Sequence, residues 1–406
     1  MKSRRQHPAI GTAIVTFALT MLVASCAQKP SATPELVVGV YGSLTGTDAD
    51  FGQSTKKGVE LALEELTARQ QGLIGGLKVR TVVEDDQGRP EEAATVVQKL
   101  ITQDNVCAVI GEVASSRSLA AAPKCQEAGV PMITPSSTNP KVTQVGDFIF
   151  RMCFLDSFQG AAMAKFTALD LKLQRVAILK DVKNEYSVGL SQYFTEAFNQ
   201  LGGQVLVEQA YSAGDQDFRA QLTAIKAKKP QAIILPGYYT EAGLIARQAR
   251  ELGITVPIIG GDGWESDQLI GIGGEAMEGC FYTNHFAADR PDSTLQGFIS
   301  RFKSKHGAEP NAICGLAYDA ANVLFRSMEQ LHAQDPDAFA ALGSNKAGTP
   351  ERKEADRKLR DLIASTTGHV GVTGTITLDE NRDASKPAFV IEIKGGKKVY
   401  NTMIAP

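Results

Sequence analysis

The chain has 406 residues, 43% of them hydrophobic and 21% charged, with a formal net charge of -3. That length suits two domains, each burying its own core. The small negative charge, with Lys and Arg scattered along the chain, excludes the basic face that nucleic-acid binding needs. Six cysteines are present, but none has the CxxC spacing of a zinc or redox centre, so no metal and no cofactor is expected.

The first residues set the compartment. Lys2, Arg4 and Arg5 precede an apolar run over residues 9–23, and Val23-Ala-Ser-Cys26 follows. A basic start, a short apolar core and small residues before a cleavage point describe a signal peptide over 1–25. Cys26 directly after that point resembles a bacterial lipobox, whose thiol takes a diacylglycerol and becomes the mature N-terminus. Ordinary cleavage beside an incidental cysteine and an uncleaved anchor are the alternatives, although the run is short of the roughly 20 residues a spanning helix needs. Residues 26–35 have no apolar period and read as a tether. The expected product is exported and lipid-anchored to a bacterial membrane, facing the periplasm or the cell exterior. No later apolar run is long enough to span a bilayer.

From Leu36 onward, strand and helix signals alternate. Residues 36–41 are a short β-branched run, 52–68 are helical by period (Val59, Ala62, Leu63 and Leu66 on one stripe), and 77–83 alternate as a strand. A helix marked by Ala93, Val97, Leu100 and Ile101 follows, then a strand over 106–110 and a helix that Ser115 or Ser116 can cap. Strand signals recur at 148–152, 175–179, 204–210, 232–235, 257–259 and 280–283, with helical stretches such as 160–169, 188–201 and 241–252 between them. This rhythm implies parallel sheets with helices on both faces.

After Phe286 the pattern changes. Two helices (295–306 and 312–331) precede a polar stretch over 334–349 that reads as an exposed loop, and the end of the chain is β-rich. There are too many strands for one open sheet. The expected fold is therefore α/β, with two similar doubly wound lobes of parallel sheet, a multi-strand hinge and a ligand cleft between them. The lobes are drawn as 36–155 plus 286–386 and 156–285 plus 387–406. With Cys26 set aside, Cys107, Cys125, Cys153, Cys280 and Cys314 remain, an odd number. Cys107 and Cys125 lie on a strand and helix that can bring them together, and buried free thiols fit equally.

Catalytic signatures are missing. The five histidines show no metal-binding spacing and no local nucleophile partner, and no P-loop or GxGxxG follows the first strand. The chain is thus expected not to be an enzyme. Polar and aromatic residues gather instead where strands end, the place where open α/β sheets bind ligands. Those places are Gly111-Glu-Val-Ala-Ser-Ser, Met132-Ile-Thr-Pro-Ser-Ser-Thr-Asn-Pro, Pro236-Gly-Tyr-Tyr-Thr-Glu and Gly260-Gly-Asp-Gly-Trp-Glu.

Together with Ala246-Arg-Gln-Ala-Arg-Glu-Leu-Gly and Gly371-Val-Thr-Gly-Thr-Ile, these segments resemble the leucine/isoleucine/valine-binding-protein family over nearly all the mature chain. These are the type I periplasmic binding proteins that serve branched-chain amino-acid ABC transporters. The resemblance implies a ligand carboxylate held by Ser115 and Thr138, with the Ser136 carbonyl facing the ammonium. It implies Asp262 as the acidic partner of the ammonium, Asp156 as a second candidate or hinge residue, and Phe51, Tyr186 and Tyr238 as aromatic walls. Tyr318 is a peripheral candidate, and Trp264 is a further one. A membrane permease is the implied partner, and a monomer is expected.

Each residue also has a plainer role available. Ser115 can simply cap its helix, Thr138 can build the turn before Pro140, Asp262 sits between glycines, and the aromatics can be core. The sequence departs from the family pattern as well. Phe51 stands where Trp is usual and Asp262 where Glu is usual, and Gly88 and Ala114 occupy the places of an early disulfide. An amide, urea, or aromatic or small carboxylic acid is therefore an alternative cargo, and sensing without transport an alternative role. A periplasmic enzyme on the same scaffold is more remote.

Overall fold

The computed structural model describes residues 34–406, so the signal peptide and Cys26 lie outside the described residues. Two sheets organise the chain. The first is built from β1 (Glu35–Gly42), β2 (Leu73–Ile74), β3 (Leu77–Asp85), β4 (Ala108–Ile110), β5 (Met132–Thr134) and β6 (Ile149–Arg151), in the order β2-β3-β1-β4-β5-β6. The second begins with β7 (Arg175–Asp181), β8 (Gln204–Tyr211), β9 (Ala232–Leu235), β10 (Ile258–Gly260) and β11 (Phe281–Asn284). A small hairpin of β12 (His369–Gly371) and β13 (Gly374–Ile376) follows, and β14 (Ala388–Lys394) and β15 (Lys397–Ile404) then return to the second sheet. Its order is β15-β14-β11-β10-β9-β7-β8.

The two sheets share one plan. In each, the first strand has the next long strand on one side and the later strands on the other, all parallel. Strands such as Leu36–Val40 and Val176–Leu179 are apolar on both faces because helices cover both. The reversal of strand order opens a crevice beyond the carboxyl ends of β1 and β4, and a second beyond β7 and β9. The β14–β15 pair adds antiparallel to β11, so the tail closes the edge of the second sheet. The chain passes between the sheets after β6, after β11 and after β13.

The first crossover is tied down by Arg151 at the end of β6. Its side chain is fully buried and forms an ion pair with Asp383 at 2.5 Å. It also donates to the carbonyl oxygens of Ser137 and Asn139 and to Thr143 Oγ1. Removing one member of a buried pair of this kind costs about 3–5 kcal/mol. Arg151 thereby holds the loop after β5 in a single shape.

Two expectations are corrected. The stretch over 334–349 is not a loop, because it contains a helix, Pro336–Ser344, that buries Phe339, Ala341 and Leu342. Asp335 caps it by accepting from Ala338 N, with Pro336 at the first helical position. Thr349 and Pro350 start a further helix, Pro350–Ala364, in the same way. Polar composition hid two cap-plus-proline starts. The helix Ser115–Ala128 is capped by neither Ser115 nor Ser116. Its cap position is Ala114, and Ser115 Oγ instead accepts from Asn139 N at 3.2 Å. Of the two readings open for Cys107 and Cys125, that of buried free thiols holds. All five described cysteines are free and buried, and burial pushes the Cys107 thiol up to about 12.

Candidate functional site

The floor of the first crevice is a set of hydroxyls fixed by short loops. Thr134 Oγ1 donates to the Glu112 carbonyl and accepts from Ser137 N, while Ser137 Oγ lies 2.7 Å from Ser118 Oγ. These bonds, with Arg151 behind them, present Ser136 and Thr138 at the end of β5. Thr138 Oγ1 is buried and has no hydrogen-bond partner among the described residues. Because Ser115 Oγ already accepts from Asn139, its own proton is left to donate. Ser115 is the first residue of a 14-residue helix, whose start carries unpaired N–H groups and the positive end of the helix dipole. This corner is suited to an anion.

The second lobe contributes carboxylates and aromatics. Asp262 lies in the turn after β10. Its Oδ1 accepts from Gln159 Nε2 at 2.8 Å, and its Oδ2 is 2.9 Å from His285 Nε2. Asp156 opens the helix Asp156–Lys165, and its N–H donates to the Thr138 carbonyl at 2.9 Å across the lobes. The Asp156 carboxylate is buried, and neither oxygen has a hydrogen-bond partner among the described residues. Burial first, and then the charge of Asp262, push its acid well above the usual carboxylate range. The nearby Thr138 hydroxyl and the Arg151 charge act in the opposite direction. Two acids thus share one buried neighbourhood.

Tyr186, in the first turn of the helix Glu185–Gln200, accepts from Gly263 N at 3.1 Å. Glycine is required there, since a Cβ on Gly261 would lie 2.3 Å from the Tyr186 hydroxyl. Tyr186 stacks on Tyr238 with ring centres 5.6 Å apart, and Phe51 from the first lobe meets Tyr238 edge-on at 5.2 Å. Phe51 can reach across because Gly52 lets its helix approach β1, where a Cβ would fall 2.2 Å from the Ser43 carbonyl oxygen. Edge-to-face pairs of this kind add about 0.5–1.5 kcal/mol beyond burial.

Further contacts join the lobes around the aromatics. Glu185 N donates to Ser116 Oγ, Asn139 Nδ2 to the Glu185 carbonyl, and Ser266 Oγ to Asp50 at 2.6 Å. The structure therefore brings Ser115, Ser136 and Thr138 to one side and Asp156, Asp262, Tyr186 and Tyr238 to the other, with Phe51 bridging them. Trp264 is not part of this group. It is fully buried under β9, where its indole N–H donates to the Leu235 carbonyl. Tyr318 is also elsewhere, bonded to Glu65 and packed on Phe298.

Sequence reasoning missed Gln159 and His285, the two residues that orient Asp262. Gln159 sits three residues after Asp156 and so on the same helix face, a signal that was available. His285 stacks on Phe154 at 4.0 Å and lies 3.4 Å from Ser136 Oγ. Nothing local in the sequence marks it, because its partners come from three separate segments. Among the described residues no group of three or more His, Cys, Asp or Glu is placed to hold a metal ion.

The family model for periplasmic binding proteins matches residues 35–398. This chain belongs to that family. A leucine-, isoleucine-, valine-, threonine- and alanine-binding protein of Pseudomonas aeruginosa is 32% identical over 333 residues, covering 81% of this chain and 88% of the relative. A leucine-binding protein LivK from Thermotoga maritima is 40% identical with a TM-score of 0.82, over 91% of this chain and 99% of that one. The substrate-binding protein LivJ from Streptococcus pneumoniae, solved with isoleucine, is 29% identical with a TM-score of 0.80, over 92% and 99%. The fold is that of a type I periplasmic binding protein, and the protein is a binding protein rather than an enzyme.

In this periplasmic binding protein the raised Asp156 acid has a measurable consequence. Between the ordinary carboxylate range and its raised value, the empty folded protein holds a proton that the unfolded chain has released. Asp156 therefore lowers stability as pH rises through that window. A cation placed beside Asp156 would favour the ionised form and pull this acid back down. Thermal melts across pH are expected to show stability falling as pH rises through that window, and Asp156→Asn is expected to flatten the fall.

Proposed function

We propose that this protein captures one α-amino acid by closing its two lobes and hands it to the membrane permease of an ABC transporter. The α-carboxylate is taken by Ser115, Thr138 and the helix start at Ser115. The α-ammonium lies with Asp262 and Asp156, facing the Ser136 carbonyl. Phe51, Tyr186 and Tyr238 bound the side chain, which we take to be neutral and of branched-chain size, as in the names of the relatives. A hinge motion of this type is driven only by the ligand's preference for the closed state.

The observation that carries the reading is the pair of buried acids facing an anion-binding corner. One positive charge about 4 Å from a carboxylate is worth about 4 kcal/mol at an effective dielectric constant near 20, before desolvation. A carboxylic acid without an ammonium offers no such return and leaves Asp156 without a partner. The family's periplasmic setting, together with the basic and apolar start of the chain, supports export. No described helix is long and apolar enough to cross a membrane, and we propose that a lipid on Cys26 holds the mature protein at the membrane.

Two experiments test this. In a thermal-shift assay, leucine at roughly 100 times its dissociation constant is expected to add about 2.7 kcal/mol of stability. Its deaminated analogue 4-methylpentanoate is expected to add almost none, and Asp262→Ala to cost leucine about 2–5 kcal/mol of binding. Equal stabilisation by the acid and the amino acid would overturn the cargo assignment. For the anchor, Cys26→Ser is expected to move the protein from the membrane fraction to the soluble one. An unchanged distribution would refute lipid attachment.

A further inference from the structure

The turn that carries Asp262 also ties the lobes together. It is one hydrogen-bonded unit, because Glu265 N donates to the Asp262 carbonyl at 2.9 Å and Trp264 between them is fully buried. The Glu265 side chain is buried as well, and its two oxygens serve different lobes. Oε2 accepts from the Tyr282 hydroxyl at 2.6 Å and lies 3.4 Å from Lys398 Nζ, both in the second lobe. Oε1 accepts from Ala312 N at 3.0 Å. Ala312 is the first residue of the 23-residue helix Ala312–Gln334, in the first lobe. Ser266, the next residue of the turn, donates to Asp50 in the first turn of the helix Ala49–Gln70.

Those two first-lobe helices form one body. Asn311 Nδ2 donates to Ser54 Oγ at 2.7 Å, and at Gly58 the helices are so close that a Cβ would lie 2.3 Å from the Cys314 carbonyl oxygen. Beside the Glu265 contact the lobes part. A cavity of about 320 Å³ opens there, its walls including Glu309 and Asn311 from the first lobe and Tyr282, Asn284 and Lys398 from the second. Glu265 thus reaches across the edge of a gap. Burial alone would raise its acid, but Lys398, then Tyr282 and the Ala312 N–H, hold it below the usual carboxylate range. A negative charge therefore faces the positive end of a long helix dipole in the other lobe.

We propose that Glu265 is a positioning residue that latches the closed form, acting through its turn and the lobe contact rather than on the cargo. A cargo that fixes Asp262 fixes the same turn, and so seats Glu265 on the start of the helix Ala312–Gln334. The latch forms only as the lobes meet. It therefore slows release of the cargo and leaves capture unchanged. This rests on the reading that the cargo is an α-amino acid held at Asp262. A hydrogen bond to a charged acceptor is worth on the order of tenfold or more.

The test is stopped-flow kinetics of leucine binding to the wild type, Glu265→Gln and Ala312→Pro. Glu265→Gln keeps the shape of the side chain and removes its charge. Ala312→Pro removes the N–H donor from the opposite lobe, at the first helical position where proline is favoured. Asn311 before it is already extended, with φ -86 and ψ 174, as a residue preceding proline needs to be. Both variants are expected to raise the dissociation rate about tenfold, with the association rate unchanged. Melting of the ligand-free proteins checks that each folds, and two variants from different lobes keep misfolding of one from deciding the outcome. An unchanged dissociation rate in either folded variant, or affinity lost through the association rate instead, overturns the latch and leaves the α-amino-acid reading intact. Binding of neither leucine nor any other α-amino acid by the wild type overturns both.

Discussion

Where the two lobes meet, Asp156 and Asp262 are both out of water, and most of the site can be understood as a response to that condition. Asp262 is supported by Gln159 and His285, whereas the Asp156 carboxylate has no hydrogen-bond partner among the described residues. Isolated charges are not tolerated in such a place, so Asp156 is driven towards its neutral form in the empty protein. A cation delivered there relieves the whole arrangement. On the proposed reading, differential affinity of that kind converts ligand arrival into lobe closure. The corner at Ser115 and Thr138 would then give an amino acid its direction, because a zwitterion satisfies both ends.

Holding these groups in register falls to buried ion pairs, close glycine contacts and aromatic packing around them. Arg151 fixes the loop after β5 through Asp383 and two carbonyl groups, so Ser136 and Thr138 are presented by a rigid element. On the other side, glycines at 261 and 263 allow Tyr186 to dock on the backbone beside Asp262. Phe51 closes the gap by packing on Tyr238 and Tyr239. The cleft is therefore shaped by packing and oriented by hydrogen bonds.

Much of this was legible in the sequence, because alternating β-branched and helical periods leave little choice but two parallel sheets, and polar residues at strand ends then mark the cleft. Ser115, Ser136, Thr138, Tyr238 and Asp262 lie in those strand-end segments, whereas Phe51, Asp156 and Tyr186, each in the first turn of a helix, are named only by the family resemblance. What stayed hidden has two causes. His285 acts through partners far away in sequence, and no local pattern announces a contact of that range, whereas Gln159 shares the helix face of Asp156 and was open to reading. The helix Pro336–Ser344 was masked by its Ala, Gly and Asp content, although Asp335-Pro336 spelled out its start. Trp264 shows the converse error, since a lone tryptophan near the site proved to be core packing.

The most direct test is a crystal structure of the protein with a bound amino acid. The account predicts the ammonium nitrogen within about 3 Å of an oxygen of Asp262 and of Asp156, with the α-carboxylate on Ser115 and Thr138. A ligand whose carboxylate faces Asp262, or one lodged away from both acids, would contradict it.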